Sequence, residues 1–168
     1  MNPNPFTWSF RAQCVAGFVV CAALYAYALY VQFALGIEPC PMCIFQRIAF
    51  IAMALLFLVG AIHRPQARGR RVYALLLLLS ACIGIGIAAR HLWVQHQPPD
   101  LMAGCAPGWN YMVNNFPLSK ALKMAFTGSA DCAQVSWTFF GLSMPFWTLV
   151  CYVLLGAGAL WAGFRRVK

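Results

Sequence analysis

Four long apolar runs, the first three separated by short stretches and the fourth by a long loop, leave this chain few ways to fold. They cover roughly residues 14–33, 44–62, 72–91 and 143–164 of the 168. Each holds about 18–22 residues, enough for a helix to cross the hydrocarbon core of a bilayer. Only 9% of residues are charged and 62% are hydrophobic, against about 25% charged in a soluble domain. The predicted fold class is therefore an all-α membrane protein, a four-transmembrane-helix bundle formed by one domain over residues 1–168. No fixed-period repeat interrupts this reading.

The formal net charge of +9 is placed in a way that sets topology. Arg11 precedes the first run, Arg64, Arg68, Arg70 and Arg71 fill the short connection 63–71, and Arg165, Arg166 and Lys168 form the tail. Short loops rich in Lys and Arg stay cytoplasmic. Both termini and the connection 63–71 are thus expected inside, with loops 34–43 and 92–142 outside. The lipid bilayer is the expected partner of these charges, and no nucleic acid is. The first run exceeds the roughly 7–15 residues of a signal-peptide core and carries tyrosines at its outer end, as an interfacial aromatic belt does. It is expected to remain as a span.

The eight cysteines divide unevenly over this plan. Cys14, Cys21, Cys82 and Cys151 fall within apolar runs, where free cysteine packs as a small hydrophobe. Cys40 and Cys43 lie in the first outer loop, and Cys105 and Cys132 in the second. Every loop cysteine is on the outer side.

The stretch Glu38–Arg47, EPCPMCIFQR, carries the sharpest chemistry. Proline is well tolerated in the first turn of a helix, so the second span should begin near Pro41 with Cys43 in that turn. Unpaired N–H groups and the helix dipole favour an anion there. Arg47 follows Cys43 by four residues, on the same face. A helix N-terminus and a nearby cation both favour the thiolate, the reactive form of cysteine. Arg47 is near enough to the boundary to snorkel outward, but the shared face favours an inward guanidinium serving Cys43 and a polar ligand.

At the outer end of the third run, AARHLWVQ places His91 and Gln95 at i, i+4, at about the depth of Arg47. Arg90, on another face, is expected to meet lipid headgroups. Three hydrogen-bond donors beside a thiol pair, open to lipid, suit a quinone, whose ring carbonyls accept hydrogen bonds and whose tail dissolves in the bilayer. Making a disulfide from two thiols also requires a two-electron acceptor. Zinc is the rival reading of four cysteines, but structural zinc motifs show two close pairs, whereas Cys105 and Cys132 stand 27 positions apart. An outer, oxidising compartment favours disulfides, so no metal is expected. A purely structural bridge between Cys40 and Cys43 would close too small a loop to constrain the unfolded chain much.

Within the long loop, Leu118, Leu122, Ala125 and Phe126 recur at helical spacing, with Lys120 and Lys123 toward the other side. This predicts a short amphipathic helix lying on the outer surface.

The ordered combination of four spans, CPMC followed by IFQR, the RHLWVQ segment and a cysteine pair in a long second outer loop resembles the DsbB family of bacterial inner-membrane disulfide-generating proteins, over essentially the whole chain. The resemblance implies a dithiol:quinone oxidoreductase of the bacterial inner membrane, with ubiquinone or menaquinone as cofactor and a DsbA-like periplasmic thioredoxin-fold protein as partner. It further implies catalytic roles for Cys40, Cys43, Cys105 and Cys132. The partner would attack a Cys105–Cys132 disulfide through Cys105, Cys132 would exchange with Cys40, and Cys43 would face the quinone beside Arg47, with His91 and Gln95 on the quinone side. Two other readings remain: a non-enzymatic scaffold held by structural disulfides, and a quinone reductase resembling vitamin K epoxide reductase, in which the CxxC typically lies in a late span.

Overall fold

A computed structural model describes residues 8–97, 111, 114–127, 130–133, 135 and 137–165. Four long helices dominate it: α1 (Phe10–Ala34), α2 (Pro41–His63), α3 (Ala67–Gln95) and, after the long loop, α6 (Met144–Phe164). All four are long and apolar enough to cross a membrane, and the chain is a four-helix membrane bundle. In lipid every backbone N–H and C=O must find its partner inside the protein, which a helix achieves along its own length.

Helix ends extend past the apolar runs for identifiable reasons. Ser9 caps α1, its Oγ accepting from the Ala12 N–H at 3.2 Å. Pro41 opens α2, where its missing N–H is harmless. Arg64 ends α2 in the left-handed region (φ 49°), and only residues 64–66 separate it from α3. Arg68, Arg70 and Arg71 therefore stand on the first turns of α3 and not in an irregular loop.

α3 packs along α6, and α1 and α3 each pack along α2, while α1 meets α6 over a short stretch only. The packing uses small residues, as expected where lipid is as apolar as leucine and close approach is what holds helices together. Gly84 of α3 leaves room for the Tyr152 ring of α6; a Cβ there would lie 2.4–2.6 Å from ring carbons. Tyr152 is fully buried, stacks on Phe50 of α2 at 4.2 Å between centroids, and donates its hydroxyl to the Gln46 carbonyl at 2.6 Å. Leucines, valines and isoleucines such as Val19, Ile62, Leu79 and Leu154 face outward. Cys14 and Cys21 are buried in the core, Cys151 is partly buried, and Cys82 faces outward.

The long loop contributes α4 (Leu118–Thr127), α5 (Ala130–Ala133) and a two-stranded hairpin of β1 (Thr138–Phe139) and β2 (Leu142–Ser143), paired antiparallel. α4 falls on the segment with helical spacing. Its Ala125 is buried, and Phe126 stacks on Phe45 of α2 at 5.2 Å. The hairpin is new relative to the sequence reading. Its two turn residues, Phe140 and Gly141, both have positive φ (50° and 75°), as a type I′ turn requires. Arg90 also departs from expectation. Instead of reaching for headgroups it donates to the carbonyls of Phe126 and Thr127, each at 3.2 Å, and lies over the Trp93 ring. A cation satisfies the unpaired carbonyls at a helix C-terminus, so Arg90 fastens α4 to α3.

Candidate functional site

One end of the bundle holds the chemistry. Cys40 is the residue just before α2, and Cys43 lies in its first turn. Their sulfurs are 3.1 Å apart, the Cys40 thiol donating, and both are thiols in this structure. Cys132, on α5, is fully buried against Met42 and Val94. Its Sγ, the Cys40 Sγ and a His91 ring nitrogen all lie within 4.8 Å of one another. The loop thus carries Cys132 to the mouth of the CxxC. Cys105 lies outside the described residues.

The Cys40 thiol titrates far from its ordinary value. Its hydrogen bond with Cys132 lowers the pKa, but the contact with Cys43 and burial together outweigh that, and the net result is a rise from 9.0 to about 12. In its reduced form Cys40 is therefore held protonated at neutral pH and is not the standing nucleophile; its sulfur can be attacked only when it is part of a disulfide.

His91 is only 2% exposed, although it sits near the end of α3. Its Nε2 is 3.6 Å from Cys40 Sγ, and its Nδ1 meets the Gln46 side-chain amide at 3.4 Å. Gln46 is also buried, and its Oε1 accepts from Thr148 Oγ1 of α6 at 3.0 Å. This chain of contacts fixes the imidazole from behind. Gln95, one turn beyond His91, accepts from Ser143 Oγ at 2.8 Å. Among the described residues, Arg47 directs its hydrogen bonds to α1 and not to Cys43. Nη2 donates to the Ala28 carbonyl at 3.0 Å, and Nη1 donates to Gln32 Oε1.

These side chains border a cavity of about 400 Å³ walled by α1, α2, α3, α6 and the hairpin segment. Cys43, Arg47, His91, Gln95 and Thr148 supply polar edges, and aromatic rings such as Trp137 and Phe139 much of the rest. A volume of this size lies within the roughly 300–1,000 Å³ of ordinary small-molecule sites, which are mostly apolar with a few placed polar groups. The donors suit a flat molecule bearing carbonyl oxygens, and the apolar walls suit a ring and tail. Three of the polar groups were not singled out in the sequence. Gln46 stands at i+3 from Cys43, a spacing that reports a shared face. Gln32 is a polar residue near the C-terminal end of the first apolar run, where an uncharged amide draws little notice. Thr148 has no signal beyond a hydroxyl within the fourth run.

Comparison with known proteins agrees with this geometry. A family model described as "Disulfide bond formation protein DsbB" matches residues 10–162. A disulfide bond formation protein B of Xanthomonas euvesicatoria pv. vesicatoria is 52% identical over 163 residues, covering 96% of this chain and 95% of the relative. One from Methylococcus capsulatus is 52% identical over 152 residues, covering 90% and 93% respectively. A third, from Nitrosococcus oceani, is 48% identical over 145 residues and 86% of each chain.

Proposed function

This chain belongs to the DsbB family of disulfide bond formation proteins, and on that premise we propose that it is a dithiol:quinone oxidoreductase of the bacterial inner membrane, reoxidising a DsbA-like periplasmic thioredoxin-fold partner. The observation that carries the reading is the position of Cys40, within reach of Cys43 on one side and Cys132 on the other. A thiol so placed passes oxidation between two pairs without travelling.

The exchange balances as follows. A partner dithiol attacks the Cys105–Cys132 disulfide through Cys105, and Cys132 leaves as a thiolate. The second partner thiolate then attacks the mixed disulfide, so the partner departs oxidised and Cys105 is reduced. In the route through Cys40, the Cys132 thiolate attacks Cys40 of a Cys40–Cys43 disulfide and Cys43 leaves. The Cys105 thiolate then attacks Cys132, restoring the loop disulfide and releasing Cys40, so that the CxxC pair is left reduced for the acceptor to reoxidise. Each step is a thiolate displacing a thiolate. Cys43, in the first turn of α2, leaves into the field of the helix N-terminus.

The cavity residues fit a quinone, ubiquinone or menaquinone. When bound, it supplies the two-electron acceptor that de novo disulfide formation requires. Arg47 and His91 would hold ring oxygens as hydrogen-bond donors, with Gln95 beside them. Gln32 and the Ala28 carbonyl keep the guanidinium from swinging away, and Gln46 does the same for the imidazole. The aromatic walls exclude water from Cys43. The basic-residue distribution supports a topology with both termini cytoplasmic and the redox loops periplasmic.

The test is quinone reduction by the purified protein in detergent, driven by a reduced thioredoxin-fold partner. Turnover in the wild type, lost in both Cys43→Ser and Cys105→Ser, is the expected result. Inert disulfides and no turnover with several quinones would instead leave a scaffold.

A further inference from the structure

The cluster of Cys40, His91 and Cys132 has a second chemical capacity that disulfide exchange does not use. We propose that, in its reduced form, this cluster binds one zinc ion per chain, closing the exchange site reversibly. Binding itself stands on the geometry; its consequence for exchange rests on the oxidoreductase reading above.

Zinc takes thiolate sulfur at about 2.3 Å and imidazole nitrogen at about 2.0–2.1 Å in a tetrahedral array, which puts neighbouring sulfur and nitrogen ligands about 3.5 Å apart. Cys40 Sγ and His91 Nε2 are 3.6 Å apart. All three ligand atoms lie within 4.8 Å of one another, so an ion can reach each after small side-chain rotations. Cys43 Sγ, 3.1 Å from Cys40, lies beside the cluster but is not one of its three members, so the fourth position is left to water. Cys40 is the N-cap of α2 while His91 and Cys132 come from α3 and α5, so the set is invisible to any search for paired cysteine motifs.

Charge favours the ion. His91 and Cys132 are buried, and a buried site tolerates little net charge. Two thiolates, from Cys40 and Cys132, cancel a dication, and their protons go to solvent. Nothing is oxidised or reduced. A third thiolate, from Cys43, would leave one negative charge one turn from Arg47.

The surroundings of His91 also suit a ligand. Coordination through Nε2 requires the proton on Nδ1 and an acceptor for it. With the Gln46 amide turned over, Oε1 accepts that proton and Nε2 donates to Thr148 Oγ1. The Thr148 hydroxyl already donates to the Pro145 carbonyl at 2.9 Å. Both orientations of the amide are thus satisfied, one for each state of the imidazole.

The experiment uses the full chain in detergent, reduced and freed of reductant under nitrogen. It is titrated with cobalt as a spectroscopic stand-in and then with zinc in competition. The expected result is one ion per chain, with tetrahedral cobalt–thiolate bands, and no binding to the oxidised protein. Cys132→Ser and His91→Ala should each weaken binding at least about tenfold, and Gln46→Leu about tenfold through loss of support for the imidazole. Cys105→Ser should match the reduced wild type. Because a variant can misfold, X-ray absorption of the zinc-loaded wild type gives a second reading, which should show both sulfur and nitrogen neighbours around the ion. Bands unchanged by Cys132→Ser and His91→Ala, or a zinc shell without nitrogen, would overturn the site. Quinone turnover in a chain that binds no metal would overturn this inference and leave the oxidoreductase reading intact. Metal binding by a chain that never turns over would support the site while removing the reading that gives it a consequence.

Discussion

Arg90 Nε donates to the Phe126 carbonyl at 3.2 Å, joining the C-terminal part of α3 to the last turn of α4. With the parallel bond to Thr127, this cation supplies the hydrogen bonds that the helix end lacks. Bonds of this kind are worth about 1 kcal/mol each when partly exposed. Arg90→Gln should speed hydrogen exchange of the α4 amides roughly fivefold while leaving the middle of α1 unchanged. Equal exchange in both proteins would mean that the stacking of Phe126 on Phe45 holds α4 unaided.

Gln32 should matter to the cavity although it is remote in sequence from the CxxC. It accepts from Arg47, and hydrogen bonds to charged groups contribute about 1.5–3 kcal/mol. Gln32→Leu should therefore raise the KM for the proposed quinone by roughly tenfold or more, with helix content by circular dichroism unchanged. A KM at the wild-type value would show that the Ala28 carbonyl alone positions the guanidinium.

The two CxxC thiols should label differently. The Cys40 pKa is raised from 9.0 to about 12, so folding favours its protonated form. That contribution is fully present below pH 9 and is lost as pH rises toward 12. In the reduced protein at pH 8, iodoacetamide should modify Cys40 at least about tenfold more slowly than an ordinary thiol, the greater nucleophilicity of a high-pKa thiolate offsetting part of its scarcity, read by peptide mass mapping. The rate should still be climbing above pH 10. A labelling midpoint near pH 9 would contradict the burial and Cys43 contact that produce the shift.

The packing of small residues predicts a contrast between two glycines of α6. A Cβ on Gly163 would lie 2.3 Å from Ala74 Cβ and 2.9 Å from the Arg70 carbonyl oxygen, whereas one on Gly158 meets nothing within 4 Å. Gly163→Ala should cost about 1–3 kcal/mol, lowering Tm in detergent by several degrees. Gly158→Ala should leave Tm unchanged or raise it, since alanine gains up to about 1 kcal/mol over glycine within a helix. Equal effects would place the α3–α6 contact elsewhere.

What the sequence made legible was local. Pro41 marked the start of α2, the i, i+4 spacing of Cys43 and Arg47 reported a shared face, and the four spans followed from length and apolarity. His91 and Gln95 were visible as an i, i+4 pair for the same reason. The approach of Cys132 to His91 was not legible, because it depends on how a long loop folds back over α3. That is also why a metal set seemed excluded by the spacing of the cysteines. The direction of Arg47 was read inward, but its partner was missed, since nothing in the second run points to Gln32 on the first. The hairpin escaped because its turn uses Phe140, 83% exposed, at a position usually taken by asparagine or glycine.

Gln46 holds Thr148 and Tyr152 across 102 and 106 positions of chain, and the cavity takes one wall from α6, the last helix to be made. During synthesis the CxxC therefore emerges long before there is a chamber behind it. On the proposed reading, a ribosome-bound chain carries two cysteines at a helix end but no enclosed place to hand electrons on. Oxidising power would then be a property of completed insertion, and unfinished copies would not act on the proteins around them.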